Sequence, residues 1–531
     1  MTAVHQTNRD ARLTAVAAME KLPATATGLV EYHSGGQVLV IGDDQALEVA
    51  RGLPSALQPH VLLLTGKGET DLPLTRAAGR AISLSGYLGH FRVKVGKEEV
   101  CERLEADMVI DLGPLPQIAA ALKPPGYHFC SGTDRDELTV TVAQLAELTG
   151  TFDKPQYFEY DPSRCAHGRN GVVACTRCLD ACPAQAITSS GDGVSVDPFL
   201  CQGGGVCATV CPSGAIRYAF PRPGDLLSRI RILLRSYREA GGLDPVVLFH
   251  AEQNPPLQLL ESLPNLLPAA VEEVASVGPE VWFSALAYGA RRVLLHDRFP
   301  VADSVTRGME AQLATSREIL DGMGFPVGAI ERVGDDFRPG GEMMPPLEPA
   351  QHAAMNDKRT AWFLALDHLH VAAGRSRAVI TLTAGAPFGA AFVEKRSCTL
   401  CMACVSACPG KALQDGRGEP RLEFIEANCI QCGLCTRTCP ENAIWITPRL
   451  MLDSGARRLP RILHEEEPFC CVNCGRPFAT RSMINGVLSK LSGHWMYQDD
   501  RSRRRVMMCE ECRVADVVQD QEAMTKGQLP Q

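Results

Sequence analysis

Apolar residues in the first third of the chain come in short unbroken runs. Val38–Ile41, Val61–Leu64 and Met108–Asp111 are three of them. Runs of this length, bounded by polar and turn residues, predict parallel strands buried on both faces. Between the first two, Ala46–Gly52 has helical spacing. Gly42-Asp43-Asp44 follows the first run, where a nucleotide-binding turn would fall. Only a lone glycine is present rather than Gly-x-Gly-x-x-Gly, so an ordinary strand-to-helix turn is expected. The middle of the chain repeats the pattern. Asp225–Ala240 alternates Leu/Ile with Arg as an amphipathic helix does. Val246–Phe249 and Val293–His296 read as strands, and Val281–Gly289 as the helix leading into the second. A linker rich in Pro, Gly and Met runs from Arg338 to Pro349, and Met483–Gly493 near the end reads as helix. The expected fold is α/β and α+β, in several domains.

Composition narrows the classes. The 531 residues suffice for about three or four domains. A net charge of −8 argues against nucleic acid as the main partner, because phosphate binding needs a basic surface. The basic run Arg501–Arg505 follows two aspartates and reads as a solvated face. Residues 1–21 lack a basic segment followed by an apolar one, and no stretch of about 18 apolar residues occurs. No membrane span is expected. Twelve of the 22 cysteines fall in C-x2-C groups, which points to metal in a reducing cytoplasm rather than to disulfides.

The cysteines carry the chemistry. Cys398-x2-Cys401-x2-Cys404-x3-Cys408-Pro409 is followed by Cys429-x2-Cys432-x2-Cys435-x3-Cys439-Pro440. Three cysteines on one tight loop hold three corners of a [4Fe–4S] cube, and the fourth of each run crosses to the other cluster. Cys398, Cys401, Cys404 and Cys439 are therefore expected at one cluster, and Cys408, Cys429, Cys432 and Cys435 at a second.

An earlier region is a damaged copy. Cys175-x2-Cys178-x3-Cys182-Pro183 lacks its first position, but Cys165 lies ten residues upstream. Cys201 through Cys207 to Cys211-Pro212 has Gly204 where the second cysteine is due. Crossed pairing gives a four-thiolate site of Cys165, Cys175, Cys178 and Cys211, expected to hold [4Fe–4S]. It leaves a three-thiolate site of Cys182, Cys201 and Cys207. The three-thiolate site predicts a [3Fe–4S] or site-differentiated cluster, the alternative being an empty, partly structural site. His167 is expected as a hydrogen-bonding neighbour of the first site rather than a ligand.

Cys471-x2-Cys474 and Cys509-x2-Cys512 make two knuckles, a closed four-thiolate site with zinc as the default metal. A rubredoxin-like iron or a further cluster are the alternatives. Cys470 is expected to be a buried or free thiol, and Cys101 and Cys130 small core residues.

Ser397–Ile444 resembles the bacterial dicluster ferredoxins, which implies a pseudo-symmetric (βαβ)2 wrap around two cubanes and one-electron transfer. Tyr160-Asp-Pro-Ser-Arg-Cys-Ala-His167, Cys175–Pro183, Cys471-Val-Asn-Cys-Gly-Arg-Pro-Phe478 and Met508–Arg513 extend the likeness. With them the chain resembles a family of large cytoplasmic 4Fe–4S proteins of proteobacteria. That resemblance implies association with formate dehydrogenase or related molybdenum enzymes. Val271–His296 resembles the delta-type subunit joining hydrogenase to heterodisulfide reductase, without its cysteines.

The expected organisation is an α/β domain at 1–160 and a degenerate ferredoxin-like module at 161–220. An α/β domain at 221–337 and a linker and scaffold segment at 338–390 follow. The complete module spans 391–450, and a zinc-ribbon-like four-cysteine domain spans 465–520. The expected function is single-electron transfer between redox partners. A maturation factor for such an enzyme is the alternative. An enzyme with its own substrate finds no acid/base pair, P-loop or nucleophile elbow in support.

Overall fold

The computed structural model describes residues 3–97, 100–130, 135–297, 301–338, 340–374 and 377–520. The early apolar runs form strands Gln37–Gly42, Gln58–Leu63 and Met108–Asp111. With Leu74–Arg76 and Tyr127–Phe129 at the edges they make a five-stranded sheet, parallel throughout. Val38, Leu39, Val40 and Ile41 are all buried, as a sheet covered on both faces requires. The helix Asp44–Arg51 packs on one face. The other face takes an antiparallel sheet of Ile82–Ser85, Phe91–Lys97 and Val100–Ala106. This sheet is absent from the expectations above, although Phe91, Val93 and Val95 alternate with polar residues.

The Gly42-Asp43-Asp44 turn is filled by the chain's own carboxylates. Asp43 accepts from the Gln45 N–H at 2.9 Å and Asp44 from the Gly68 N–H at 2.9 Å. The helix N-terminus is thus capped internally.

In the middle domain, Val246–Ala251, Leu266–Val271, Arg292–His296 and Ile330–Val333 form a parallel four-stranded sheet. The second of these lies at one edge, beside the first, with the third and fourth beyond. The strand order therefore reverses beside Val246–Ala251. Helices Pro223–Glu239, Pro279–Ala287 and Asp303–Met323 pack around it, with Trp282 and Phe283 fully buried.

Two expected boundaries need correction. The helix Ala3–Glu20 belongs to the middle core, where Ala11, Ala15 and Met19 pack against Pro223–Glu239. The helix Lys358–Ala373 belongs there too, burying Trp362, Leu366 and Leu369 beside Pro279–Ala287. The linker is therefore confined to the span between Val333 and Lys358, which contains no helix or strand among the described residues.

Both cysteine modules are built as paired strand–helix–strand units. In the complete module, Gly389–Val393 pairs with Ile444–Met451, and Leu413–Gly416 with Glu419–Phe424. Helices Ala403–Ala407 and Leu434–Thr438 lie between. In the first module the counterparts are Phe158–Tyr160 with Ile216–Tyr218, the hairpin Ile187–Ser190/Gly193–Val196, and helices Arg177–Ala181 and Val206–Val210. Among the described residues no helix is long and apolar enough to cross a membrane.

Candidate metal centres

In the complete module, Cys398, Cys401, Cys404 and Cys439 line one cavity, whose other walls include Val393, Leu422 and Ile444. Cys408, Cys429, Cys432 and Cys435 line a second, with Leu413, Phe424 and Ile446. The fourth cysteine of each run reaches the other cavity because its short helix ends there. Cys408 and Cys439 leave the helix with extended backbone, and Pro409 and Pro440 prevent its continuation. Each loop is bent by left-handed residues, Leu400 and Met402 in one, Gln431 and Gly433 in the other. This conformation turns the Leu400 N–H toward the Cys398 sulfur and the Gln431 N–H toward Cys429.

Burial raises the thiols of Cys398, Cys404, Cys429, Cys432 and Cys435. Cys404 is pushed up to about 12, by burial first and then by its thiol neighbours. A neutral thiol in an apolar cavity gains most from a cation that replaces its proton. A set of four sulfurs suits a soft iron–sulfur cube rather than a hard cation.

In the first module, the inserted residues between Cys165 and Cys175 form a tiny hairpin, Gly168–Arg169 with Val172–Val173. It is closed by the Ala174 N–H to His167 O at 2.7 Å and the Cys175 N–H to Ala166 O at 3.2 Å. The fold-back carries Cys165 to Cys211, with which it shares a small buried cluster. Burial raises Cys175 and Cys178, and both also feel the charges of Cys165 and Cys211, so these four sulfurs form one group. His167 is buried, with Nδ1 2.8 Å from the Cys175 carbonyl and Nε2 2.7 Å from Ser189 Oγ. Nδ1 must donate to that carbonyl, and Nε2 is engaged with the hydroxyl, so both ring nitrogens have partners.

Cys182, Cys201 and Cys207 line a separate cavity together with Gly204. The loop keeps the backbone of a full ligand loop. Gly203 and Gly205 are left-handed at the positions of Leu400 and Met402 in the complete module. Gly204 itself does not need to be glycine. A Cβ built there meets only Pro183 Cγ at 3.9 Å. The missing fourth thiol is a chemical difference, not a steric one.

The tail knuckles bring Cys471, Cys474, Cys509 and Cys512 together, their sulfurs all within 4.8 Å of one another. Against the cost of burial, the N–H groups of Cys474, Cys509 and Asn473 hold the Cys471 thiol down at about 6. Arg501 and Arg505 pair with Asp516 at 3.4 and 2.6 Å, so part of the basic run is an ion-pair network rather than a free solvated face. Cys470 is exposed; Cys130 is buried and Cys101 half-buried.

The four sulfur groups of the two modules stand in succession. Cys435 is raised by burial, then by its own group, then by Cys404 of the neighbouring group. Cys432 is pushed up to about 12 by burial, by Cys408 and Cys429, and by Cys175 of the other module. Cys207 is raised well above the ordinary range by burial, by Cys201 and Cys182, and by Cys178. Each group is thus close enough to feel the charge of the next. Cys401, at one end, is exposed.

Three consecutive residues at the start of Lys358–Ala373 hold these groups in place, and sequence reasoning missed all three. Asp357 pairs with Arg164, beside Cys165. Lys358 Nζ donates to the carbonyls of Ala208 at 2.8 Å and Thr209 at 2.7 Å, on the helix that carries Cys207. Arg359 donates to the carbonyls of Ala427 at 2.9 Å and Cys429 at 3.0 Å. Lys154 was missed as well; its Nζ donates to Cys201 O at 2.6 Å. The only available signal was charge beside an apolar helical stripe, which also describes most surface helices.

Comparison with known proteins agrees with this geometry. A model for the 4Fe-4S dicluster domain matches residues 397–444, and a second such model matches residues 172–215. Hydrogenase-4 component A of Escherichia coli (strain K12) is 44% identical over 46 residues, 9% of this chain and 22% of that protein. The chain thus spans about a fifth of the curated relative it matches. Two segments of the chain, residues 172–215 and 397–444, are thus 4Fe-4S dicluster domains.

Proposed function

We propose that the chain carries single electrons between redox partners along the four sulfur groups in series. The observation that supports this reading is their succession, in which Cys435 feels the charge of Cys404, Cys432 that of Cys175, and Cys207 that of Cys178. The ligand sets are those of the crossed pairing: Cys398, Cys401, Cys404, Cys439; Cys408, Cys429, Cys432, Cys435; Cys165, Cys175, Cys178, Cys211; and Cys182, Cys201, Cys207. The first three suit [4Fe–4S] and the last [3Fe–4S] or a cube with one open corner. Such clusters supply reversible one-electron exchange.

The chain's residues fix and insulate them. The Leu400 and Gln431 N–H groups and the Lys154 charge stabilise negative sulfur, which favours the reduced state. The α/β domains and the Lys358–Ala373 helix keep the groups at constant spacing. Similarity to a hydrogenase component supports docking to an oxidoreductase complex. A molybdenum-dependent formate dehydrogenase is the first partner to test, from the family resemblance.

Anaerobic potentiometric titration followed by EPR tests the reading. Several reversible one-electron signals are expected, with an extra [3Fe–4S] signal in the oxidised protein. Clusters that stay silent at all accessible potentials, or disassemble on reduction, would transfer the weight to a maturation role. Gly204→Cys is expected to replace the [3Fe–4S] signal by a further reducible [4Fe–4S] signal and to add about one iron per chain. If the [3Fe–4S] signal survives the substitution, the crossed pairing in this module is wrong.

For the tail we assign zinc to Cys471, Cys474, Cys509 and Cys512 in a zinc-ribbon-like domain. Cys474→Ser is expected to remove about one zinc per chain while leaving iron unchanged. Metal analysis decides it: iron in place of zinc in the unsubstituted protein would refute the assignment.

A further inference from the structure

A cavity of about 550 Å³ lies next to the three-thiolate site. Leu122, Pro183 and Gly204 line both this cavity and the one that holds Cys182, Cys201 and Cys207. Of the three, Gly204 has no side chain and stands where a fourth thiol is due. The Leu122 N–H bonds to Pro183 O at 3.0 Å, so the first α/β domain closes one side.

The opposite side is the carboxyl end of the middle sheet. Gln253 follows Val246–Ala251, Glu272 and Glu273 follow Leu266–Val271, and Asp297 follows Arg292–His296. These strands flank the place where strand order reverses, the position at which open parallel sheets take ligands. Asp297 is neutralised by Arg332 at 2.9 Å. Glu272 and Glu273 have no ion-pair partner among the described residues, so the outer part of the cavity is negative.

We propose that this cavity binds a small molecule that pairs a soft donor atom with a cationic group, an aminothiol in chemical class. Where the site holds a [4Fe–4S] cube, the thiol, giving its proton to solvent, would bind as thiolate the one iron that Gly204 leaves without a protein ligand, and its cation would face Glu272 and Glu273. The inference rests on the three-thiolate reading and adds the ligand class. A cavity of this volume admits a molecule of several heavy atoms, and the shared wall gives it access to the corner. Two free carboxylates disfavour an anionic molecule there, whatever its donor atom.

The test is a titration of the intact, anaerobically purified protein with cysteamine, followed by EPR of the open-corner cluster. A parallel titration uses 3-mercaptopropionate, which has the same reach and the opposite charge. Cysteamine is expected to alter the cluster signal at a concentration at least about fivefold lower than 3-mercaptopropionate. The double substitution Glu272→Gln/Glu273→Gln, at accessible positions, is expected to erase that preference but keep the signal. Gly204→Cys is expected to abolish the response to both thiols. An open-corner signal that neither thiol perturbs, or that both perturb equally, overturns the ligand assignment alone. Absence of any such signal before thiol is added overturns the three-thiolate reading beneath it, and the two failures are distinct.

Discussion

Cys432→Ser is expected to lower the iron content by between about one atom, if only a corner is lost, and about four, if the whole cube is lost. The serine hydroxyl is a hard donor with a much higher pKa than a thiol, so it rarely gives iron the anionic ligand the sulfur gave. The position magnifies the effect. Cys432 belongs to the group of Cys408, Cys429 and Cys435, and among its neighbours is Cys175 of the first module. Loss of this one thiolate interrupts the succession at its middle, between the exposed Cys401 end and the three-thiolate end. Iron analysis and the EPR of the reduced protein read the first effect. The second appears as slower reduction of the first module when electrons enter through the complete one. An unchanged iron count and spectrum would mean that Cys432 is not a ligand.

What the sequence made legible follows from locality. The cysteine spacings encode the loop-and-helix unit itself, so the two complete groups and the tail knuckles were readable from residues a few positions apart. The runs Val38–Ile41 and Met108–Asp111 announced buried strands because both faces of a parallel sheet are covered. What stayed hidden depends on contacts distant in sequence. Nothing in Ala3–Glu20 names Pro223–Glu239 as its partner. Arg338–Pro349 ended one pattern so clearly that the helix after it read as scaffold rather than core. The Lys154, Lys358 and Arg359 contacts join residues tens to hundreds of positions apart. Gly204 was the informative exception. Its place in the motif predicted the missing ligand, but only the fold shows that a cavity lies behind it.

Lys358→Ala is expected to destabilise the folded chain by about 3–5 kcal/mol, the usual consequence of removing one partner of a buried ion pair. Lys358 is 5% exposed, and its Nζ lies 3.7 Å from Glu280, whose carboxylate is also buried. Burial already raises the Glu280 pKa, and the lysine charge opposes that rise. Without the lysine the carboxylate must take up a proton or remain charged in an apolar core. The carbonyls of Ala208 and Thr209 also lose their donor. They lie on the Val206–Val210 helix, which carries Cys207, so the substitution loosens a ligand of the three-thiolate site as well as the core. Lys358→Ala combined with Glu280→Leu removes the orphaned charge and is expected to recover a large part of the stability. The same pair does not restore the donor to the helix, so the open-corner signal should remain weakened. Denaturant unfolding of the three variants, with EPR on each, separates the two roles. Equal loss of stability in the single and double variants would mean that the charge pair does not dominate, and an undiminished cluster signal would mean that Lys358 does not position Cys207.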